Sequence, residues 1–178
     1  HPRLRLLLVP RHKERFEEVA KLVRESGFPL LRRSEPDDQA TNASDRPVLL
    51  LDTLGELAAC WGLADVAFVG GSLTRRGGQN MIEPAAYGAA VLLGPNTWNF
   101  RDVVEMLLEA DAALVVGDGR EMTNTVRRLL EDRRTRENLG RRSQQIVLSQ
   151  QGATRMTVDL VLGLIPESQA TPSHCRAA

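Results

Sequence analysis

The chain has little cysteine, no excess of charge of either sign and no long apolar run. Its 178 residues include only Cys60 and Cys175, which provide neither a disulfide framework nor the spacing of a metal site. The 23 basic and 23 acidic side chains leave no net charge, which argues against a general nucleic-acid-binding protein. No apolar run approaches the roughly 20 residues of a membrane span, and no signal-peptide pattern is present. We therefore expect a cytosolic globular domain.

Several catalytic patterns are also missing from the sequence. There is no Asp-x-Asp pair that could hold a metal ion against a diphosphate, and there is no cluster of Cys and His. No Ser or Cys has an evident base partner, and no convincing general base stands near the glycine pairs of the chain. The residues alone therefore predict no metal site, no cofactor and no catalytic residue within this chain.

What is present is an alternation of short apolar runs and helical periodicity. The predicted strands are residues 4–9, 30–31, 48–51, 66–69, 90–93 and 113–116. The predicted helices are residues 15–26, 52–62, 79–86, 99–110, 121–131, 135–149 and 153–164, the fourth with Asn99 as its N-cap. This alternation indicates an α/β fold, a Rossmann-like doubly wound parallel sheet of about six strands with helices on both faces.

Length and composition suffice for one domain. With 178 residues and 42% hydrophobic side chains, such a domain buries roughly 70% of its unfolded surface. We place the domain at residues 1–165 and expect residues 166–178 to be a disordered tail. Residues 34–46 are polar and rich in turn formers, and we expect a surface loop there.

The most informative stretch is residues 66–100, where two apolar strands flank a glycine-rich loop and a short helix. A βαβ unit of this kind places its loop at the carboxyl end of the first strand, where open parallel sheets bind ligands. Glycines let the backbone turn sharply, and free N–H groups in the loop and at the helix start attract anions. The candidate binding residues are Gly70, Gly71, Ser72, Gly77, Gly78, Asn80 and Glu83.

The spacing of these glycines matches neither the dinucleotide fingerprint nor the P-loop, and an ordinary tight turn is the alternative interpretation. Two glycine pairs flanking a polar loop ahead of a helix favour phosphate binding. Glu83, about one turn into the helix, is either an exposed charge or the holder of a ribose diol, since a carboxylate can accept from both hydroxyls. The stretch therefore predicts a phosphate-bearing ligand.

Polar residues also follow the first and third predicted strands. Arg11 offers a planar fork suited to phosphate or carboxylate, and His12 could donate to the same group; a solvated strand end is the alternative. Gly55 and Glu56 stand at a helix start, where N–H groups can bond a base edge or where Glu56 only offsets the helix dipole. Because the strand ends of a parallel sheet meet at one edge, we expect these residues beside the glycine loop.

With these residues in view, the chain resembles the C-terminal half of a bacterial 3-deoxy-D-manno-octulosonic acid (Kdo) transferase, a glycosyltransferase with the two-domain GT-B fold. The resemblance covers about residues 6–164. It rests on Val9–Pro10–Arg11–His12, Asp52–Thr53–Leu54–Gly55–Glu56–Leu57, Phe68–Val69–Gly70–Gly71–Ser72–Leu73, Gly77–Gly78 with Asn80 and Glu83–Pro84–Ala85–Ala86, and Gly94–Pro95 with Thr97, Asn99 and Phe100. The chain departs from the family pattern at Gln79, Tyr87 and Asn96, where a His is expected, and at Met81, where a Pro is expected.

The resemblance implies that the full enzyme transfers Kdo from CMP-Kdo to a lipid A precursor in lipopolysaccharide biosynthesis, with inversion at the sugar carbon. It implies that this half binds CMP-Kdo through Arg11, His12 and the glycine N–H groups. Glu83 would then hold the ribose, and the turn at Gly55 and Glu56 would hold the cytosine. A monophosphate leaving group needs less charge neutralisation than a diphosphate, so no metal is expected.

The resemblance further implies an N-terminal domain, absent from this chain, that holds the catalytic base and the lipid acceptor. It places the full enzyme at the cytoplasmic face of the bacterial inner membrane, with membrane contact only through that domain. The fragment itself should be soluble, should be inactive alone and should not bind nucleic acid. Two alternatives stay open: a domain of another GT-B enzyme, such as a UDP-sugar transferase or a nucleotide-sugar 2-epimerase, and a non-catalytic nucleotide-binding α/β module, since fold alone does not give function.

Overall fold

The structure, a computed structural model, describes residues 4–35 and 46–164. In this part of the chain short strands alternate with helices. The strands are β1 (Leu7–Leu8), β2 (Leu30–Arg32), β3 (Val48–Leu50), β4 (Val66–Phe68), β5 (Ala90–Leu93) and β6 (Ala113–Val115). The helices are α1 (Phe16–Glu25), α2 (Leu57–Cys60), α3 (Ile82–Ala86), α4 (Arg101–Glu109), α5 (Gly119–Glu131), α6 (Arg133–Ser149) and α7 (Ala153–Leu164). Short 3-10 turns lie at Lys13–Arg15, Trp61–Leu63 and Trp98–Phe100.

The strands form two three-stranded parallel sheets, in the orders β1-β3-β2 and β4-β5-β6. In the first sheet Leu49 lies opposite both Leu7 and Leu31. The predicted α/β class, with parallel strands flanked by helices, is confirmed, but the strands are divided between two sheets and do not join in one of about six. β1 is only two residues long, and Pro10, which has no N–H to donate, follows it within two positions, so few backbone groups are left at this end of the strand for further pairing.

The second sheet has the more tightly packed core. All four side chains of β5 are fully buried, and they alternate between two hydrophobic clusters. Val91 and Leu93 lie in one cluster with Leu107 of α4, whereas Leu92 lies in the other with Leu129 of α5. Burying one such Leu contributes about 1.5–3 kcal/mol. Covered on both faces, β5 provides a rigid base for the loops at the carboxyl edge of this sheet.

The predicted helix start at Asn99 is wrong. α4 begins at Arg101, after a 3-10 turn, and no side chain caps it. Asn99 Nδ2 donates instead to the carbonyl oxygens of Arg76, at 3.0 Å, and Gly78, at 3.4 Å. The side chain therefore joins the α4 approach to the glycine loop, a use of Asn that competes with helix capping.

Some predictions fall on residues that the structure does not describe. The predicted loop at 34–46 lies mostly outside the described ranges, and the predicted tail at 166–178 lies entirely outside them. The domain limits of 1–165 therefore stay a prediction. Among the helices that the structure describes, none combines the length and apolar character needed to cross a bilayer.

Candidate functional site

Arg11, at the end of β1, reaches across to the loop that follows β4. Its Nη1 atom donates a hydrogen bond to Oε1 of Gln79 at 2.6 Å. The other face of the Gln79 amide borders Gly71, where an added Cβ would lie 3.7 Å from Nε2. Gly71 has a φ of +77°, a left-handed conformation that glycine adopts without strain. The structure thus brings Arg11, Gln79 and Gly71 to one point at the carboxyl ends of both sheets.

Glu83, one residue into α3, has a carboxylate held by two neutral donors. Nε1 of Trp61 donates to Oε2 at 3.0 Å, and Nδ2 of Asn80 donates to Oε1 at 2.9 Å. The Asn80 carbonyl oxygen in turn accepts from the Ile82 N–H at 3.0 Å, which fixes the amide. Among the ion pairs of residues 4–35 and 46–164, none involves Glu83. The carboxylate is therefore oriented but not neutralised.

The side chain of Ser72 lies in the core. It is fully buried, and its hydroxyl donates to the Val69 carbonyl at 2.5 Å while accepting from the Gly94 N–H at 2.7 Å. A side chain with both bonds satisfied and no exposed surface cannot contact a ligand. The Ser72 side chain joins the ends of β4 and β5, and the assignment of this residue to ligand binding stays a prediction.

The second glycine pair also has a packing role. Gly77 and Gly78 are buried, with φ angles of +81° and +78°. A Cβ at Gly77 would lie 2.5 Å from Nδ2 of Asn99 and 2.6 Å from Nε1 of Trp98, so only glycine fits. The pair packs against the turn before α4, and its contact with a ligand stays a prediction. Of the four loop glycines, Gly70 is exposed with open space around it and Gly71 is half-buried, so the first pair borders solvent.

After β3, Gly55 forms an open backbone turn, whereas the carboxylate of Glu56 already has hydrogen-bond partners. Gly55 has a φ of +85° and open space around it. The Glu56 carboxylate accepts from the Thr53 hydroxyl and from Nη2 of Arg33 at 2.9 Å, and these two hydrogen bonds hold the pKa of Glu56 below its ordinary value. The side chain is therefore already partnered, and the backbone of the turn is what stays available to a ligand. His12 is exposed next to Arg11.

A buried ion pair that the sequence reasoning missed supports this edge of the first sheet. Asp52, just after β3, accepts from Nε of Arg32 at 2.7 Å and from the Ser34 N–H and hydroxyl at 2.9 and 2.6 Å. Arg32 also pairs with Glu17 of α1 at 2.6 Å. Burial by itself would raise the pKa of Asp52, but the hydrogen bonds from Ser34 and Arg32 together outweigh it and leave the pKa lowered. The cluster fixes the ends of β2 and β3, from which the Gly55 turn projects.

Replacing Asp52 by Asn should lower stability and flatten its dependence on acid. A carboxyl whose folded pKa is depressed stabilises the fold fully above its unfolded pKa of about 3.9 and loses that contribution as pH falls through the folded value. We expect Asp52→Asn to cost about 1–3 kcal/mol at pH 7 and the gap to the unmodified chain to shrink below about pH 4. Urea denaturation at several pH values measures this, with exposed Glu109→Gln as the control. A gap that stays constant down to pH 2 would contradict it.

Two contacts at the site, of Trp61 with Glu83 and of Gln79 with Arg11, could not be predicted from the sequence. Trp61 and Glu83 are 22 positions apart, and nothing in the pattern of either segment joins them. Gln79 is a departure from the family pattern, yet it makes the contact to Arg11 across 68 positions. In the described residues, no group of three His, Cys, Asp or Glu side chains is arranged to hold a metal ion. The expectation that the reaction needs no metal stays a prediction.

Comparison with known proteins identifies similar sequences. No protein-family model matches the chain. It is 38% identical over 162 residues to the 3-deoxy-D-manno-octulosonic acid transferase of Haemophilus influenzae, an alignment that covers 90% of this chain and 37% of that protein. It is 40% identical over 158 residues to the protein of the same name from Bordetella pertussis, covering 89% of this chain and 36% of that one. The chain thus spans little more than a third of the length of these relatives.

One solved structure matches the fold as well. The crystal structure of the C-terminal CMP-Kdo binding domain of WaaA from Acinetobacter baumannii aligns with a TM-score of 0.73 at 29% identity. The match covers 81% of this chain and 74% of that one. The resemblance found in the sequence is thereby confirmed: the chain is similar in sequence to 3-deoxy-D-manno-octulosonic acid transferases and has the fold of the solved C-terminal domain.

Proposed function

We propose that this chain is the donor-binding domain of a glycosyltransferase that transfers Kdo from CMP-Kdo to a lipid A precursor. The observation that carries the proposal is that Arg11 bonds to Gln79, which lies beside Gly71 and four residues before the oriented carboxylate of Glu83. These groups lie where parallel strands end, the edge at which such folds bind ligands. The names of the relatives and of the matching solved domain support the same substrate.

The charges of the site suit a donor with two anions. CMP-Kdo carries one phosphate and one sugar carboxylate. Arg11 is exposed, and its one hydrogen bond among the described residues goes to a neutral amide, so its positive charge is not compensated by a carboxylate. The planar guanidinium can bind an anion with two parallel hydrogen bonds. We assign Arg11, His12 and the N–H groups of Gly70 and Gly71 to these anions.

The remaining groups are assigned to the nucleoside. The Glu83 carboxylate accepts from the ribose hydroxyls, and the turn at Gly55 and Glu56 faces the cytosine. Each oxygen of Glu83 has one internal hydrogen bond and keeps a lone pair for a further donor. Because the Glu56 side chain is held by Arg33, the base would be recognised by the backbone of the turn. Asn80 acts at this site through Glu83.

Transfer breaks the bond between the anomeric carbon of Kdo and the phosphate oxygen, and CMP leaves with additional negative charge. Arg11 and the loop N–H groups would stabilise that growing charge more strongly than the charge of the bound donor, which is what lowers a barrier. The acceptor hydroxyl must lose a proton, and we assign the base, the lipid acceptor and the membrane contact to a domain outside this chain. The chain alone should therefore bind CMP and transfer nothing.

Titration of the 178-residue chain with CMP by calorimetry or NMR tests the assignment. Arg11→Ala and Glu83→Ala should each weaken binding by at least about tenfold, since a hydrogen bond to a charged group is worth about 1.5–3 kcal/mol. Arg5→Ala is the matched control for Arg11, because Arg5 is also an exposed arginine but precedes β1. Glu105→Ala, at an exposed glutamate of α4, is the control for Glu83. Undiminished binding in both site variants would refute the assignment.

Two further measurements separate the alternative functions. Competition between CMP and UMP discriminates a cytidine-specific domain from that of a UDP-sugar enzyme, which would favour UMP. A non-catalytic module with no nucleotide-sugar site would bind neither nucleotide at this edge. Detectable transfer of Kdo to a lipid A precursor by this chain alone would show that it contains a base after all.

A further inference from the structure

We propose that Trp61 is a positioning residue for nucleotide binding. Its indole N–H, together with the Asn80 amide, turns the Glu83 carboxylate so that each oxygen keeps a free lone pair for one of two neighbouring hydroxyls. The inference rests on the proposed function and deepens it, because it identifies what orients the group that recognises the ribose. Trp61 itself need not touch the nucleotide.

The geometry divides the two donors evenly between the two carboxylate oxygens. Trp61 Nε1 lies 3.0 Å from Oε2, and Asn80 Nδ2 lies 2.9 Å from Oε1. A carboxylate oxygen accepts two hydrogen bonds, so one position on each oxygen stays open. One open acceptor position on each of the two oxygens matches the spacing of a vicinal diol. Two open positions on a single oxygen would not match it.

The chemistry of the donors matters as much as their positions. The indole N–H is a donor only, so Trp61 cannot compete with the carboxylate to accept a hydrogen bond from a ribose hydroxyl. Both donors are neutral and leave the negative charge of Glu83 uncompensated, whereas an Arg or Lys in either place would reduce its attraction for hydroxyl donors. A carboxylate that is fixed yet still charged is what binding of a neutral diol requires.

The fold holds Trp61 in place from both sides. It begins the 3-10 turn Trp61–Leu63 that follows α2 directly. The next residue, Gly62, approaches the ring at the end of α3, since a Cβ there would lie 3.7 Å from Cδ1 of Tyr87. The turn therefore packs on the helix that carries Glu83, and the indole N–H reaches the carboxylate from a fixed base.

A structural role and a positioning role predict different ligand dependence. If the hydrogen bond only ties the turn to α3, loss of the indole N–H should weaken every nucleotide equally or none at all. If it orients Glu83, the loss should be confined to nucleotides whose ribose hydroxyls Glu83 receives. CMP and 2′,3′-dideoxy-CMP differ in those hydroxyls alone and serve as the two probes.

Both probes are titrated into the unmodified chain and into Trp61→Phe and Asn80→Ala. We expect each variant to bind CMP about fivefold to tenfold more weakly and to bind 2′,3′-dideoxy-CMP within about twofold of the unmodified chain. Leu63→Ala, in the same turn with a side chain 82% exposed, should change neither affinity. Asn80→Ala removes a donor from a different segment, so it provides the same test if Trp61→Phe folds poorly.

Three results would overturn the inference: equal weakening of both probes, no weakening of CMP, or equal affinity of the unmodified chain for the two probes. The failure of the proposed function looks different, because the unmodified chain would then bind no CMP at all. Loss of CMP binding in Arg11→Ala with no effect of Trp61→Phe would leave the proposed function standing and reject the positioning role.

Discussion

Gly140→Ala should lower the free energy of unfolding by about 3 kcal/mol or more, because the added Cβ would clash with backbone atoms. A Cβ at Gly140 would lie 2.0 Å from the carbonyl oxygen of Gly88 and 2.9 Å from its carbonyl carbon. Gly88 lies in the connection between α3 and β5, where its N–H donates to the Ala85 carbonyl at 2.9 Å and the Ala89 N–H donates to the Pro84 carbonyl at 3.1 Å, so this backbone cannot move without losing hydrogen bonds. Helix α6 would have to move off the sheet.

The same movement would break the hydrogen bonds that dock α6 on this connection. The Ser143 hydroxyl donates to the Ala89 carbonyl at 3.2 Å, and Gln144 Nε2 donates to the Ala86 carbonyl at 2.9 Å. The buried Ser143 hydroxyl would keep the Gly140 carbonyl of its own helix as a partner at 2.9 Å, whereas the Ala89 carbonyl would lose this donor. The cost of the clash therefore adds to the loss of one contact with α3 and one with the residue before β5.

Urea denaturation followed by circular dichroism measures the effect, and the sign of the result decides the matter. Alanine is the better helix former by about 1 kcal/mol, so without the clash the substitution would stabilise α6. Gly163→Ala is the matched control because Gly163 is also helical and a Cβ there meets nothing within 4 Å. We expect the control to be neutral or slightly stabilising. A Gly140→Ala protein as stable as the unmodified chain would mean that α6 does not approach Gly88 this closely.

The sequence predicted the elements that depend on local pattern. The apolar run that forms β5 and the periodicity of α7 are found at the predicted limits, Ala90–Leu93 and Ala153–Leu164. The division into two sheets was not predicted, because strand pairing depends on whether β1 and β4 meet. No local pattern reports that contact.

The sequence predicted where the residues of the candidate site lie better than it predicted what their side chains contact. Arg11, Gly71 and Glu83 were expected along one edge, and the structure has Arg11 bonded to Gln79, whose amide nitrogen would lie 3.7 Å from a Cβ added at Gly71. Burial of the Ser72 side chain could not be predicted, because a Gly-Gly-Ser sequence is compatible with a hydroxyl that faces solvent or core. The partner of Glu83, Trp61, could not be predicted, since an aromatic residue in a short helix is more often a packing residue than a hydrogen-bond donor.

Gly94→Ala should damage both the fold and CMP binding. A Cβ at Gly94 would lie 2.3 Å from the carbonyl carbon and oxygen of Ser72 and 2.5 Å from the Leu73 nitrogen, all of them backbone atoms. We expect a loss of about 3 kcal/mol or more in the free energy of unfolding, because neither buried segment has room to withdraw. The glycine in the Gly94–Pro95 motif is thus explained by the close approach of two loops.

The effect on binding follows from where the displaced loop leads. Gly94 and Asn96 donate through their N–H groups to the Ser72 hydroxyl and carbonyl at 2.7 and 2.9 Å, which fixes the loop directly after Gly70 and Gly71. If that loop is pushed away, the N–H groups assigned to the phosphate lose their alignment, and CMP affinity should fall by more than about tenfold even where the protein is still folded. Gly119→Ala, with open space around the site of substitution, should change neither stability nor affinity appreciably. Should Gly94→Ala lose stability while CMP binds as before, the Gly70–Gly71 loop would not be part of the phosphate site, and Arg11 would have to bind that anion without it.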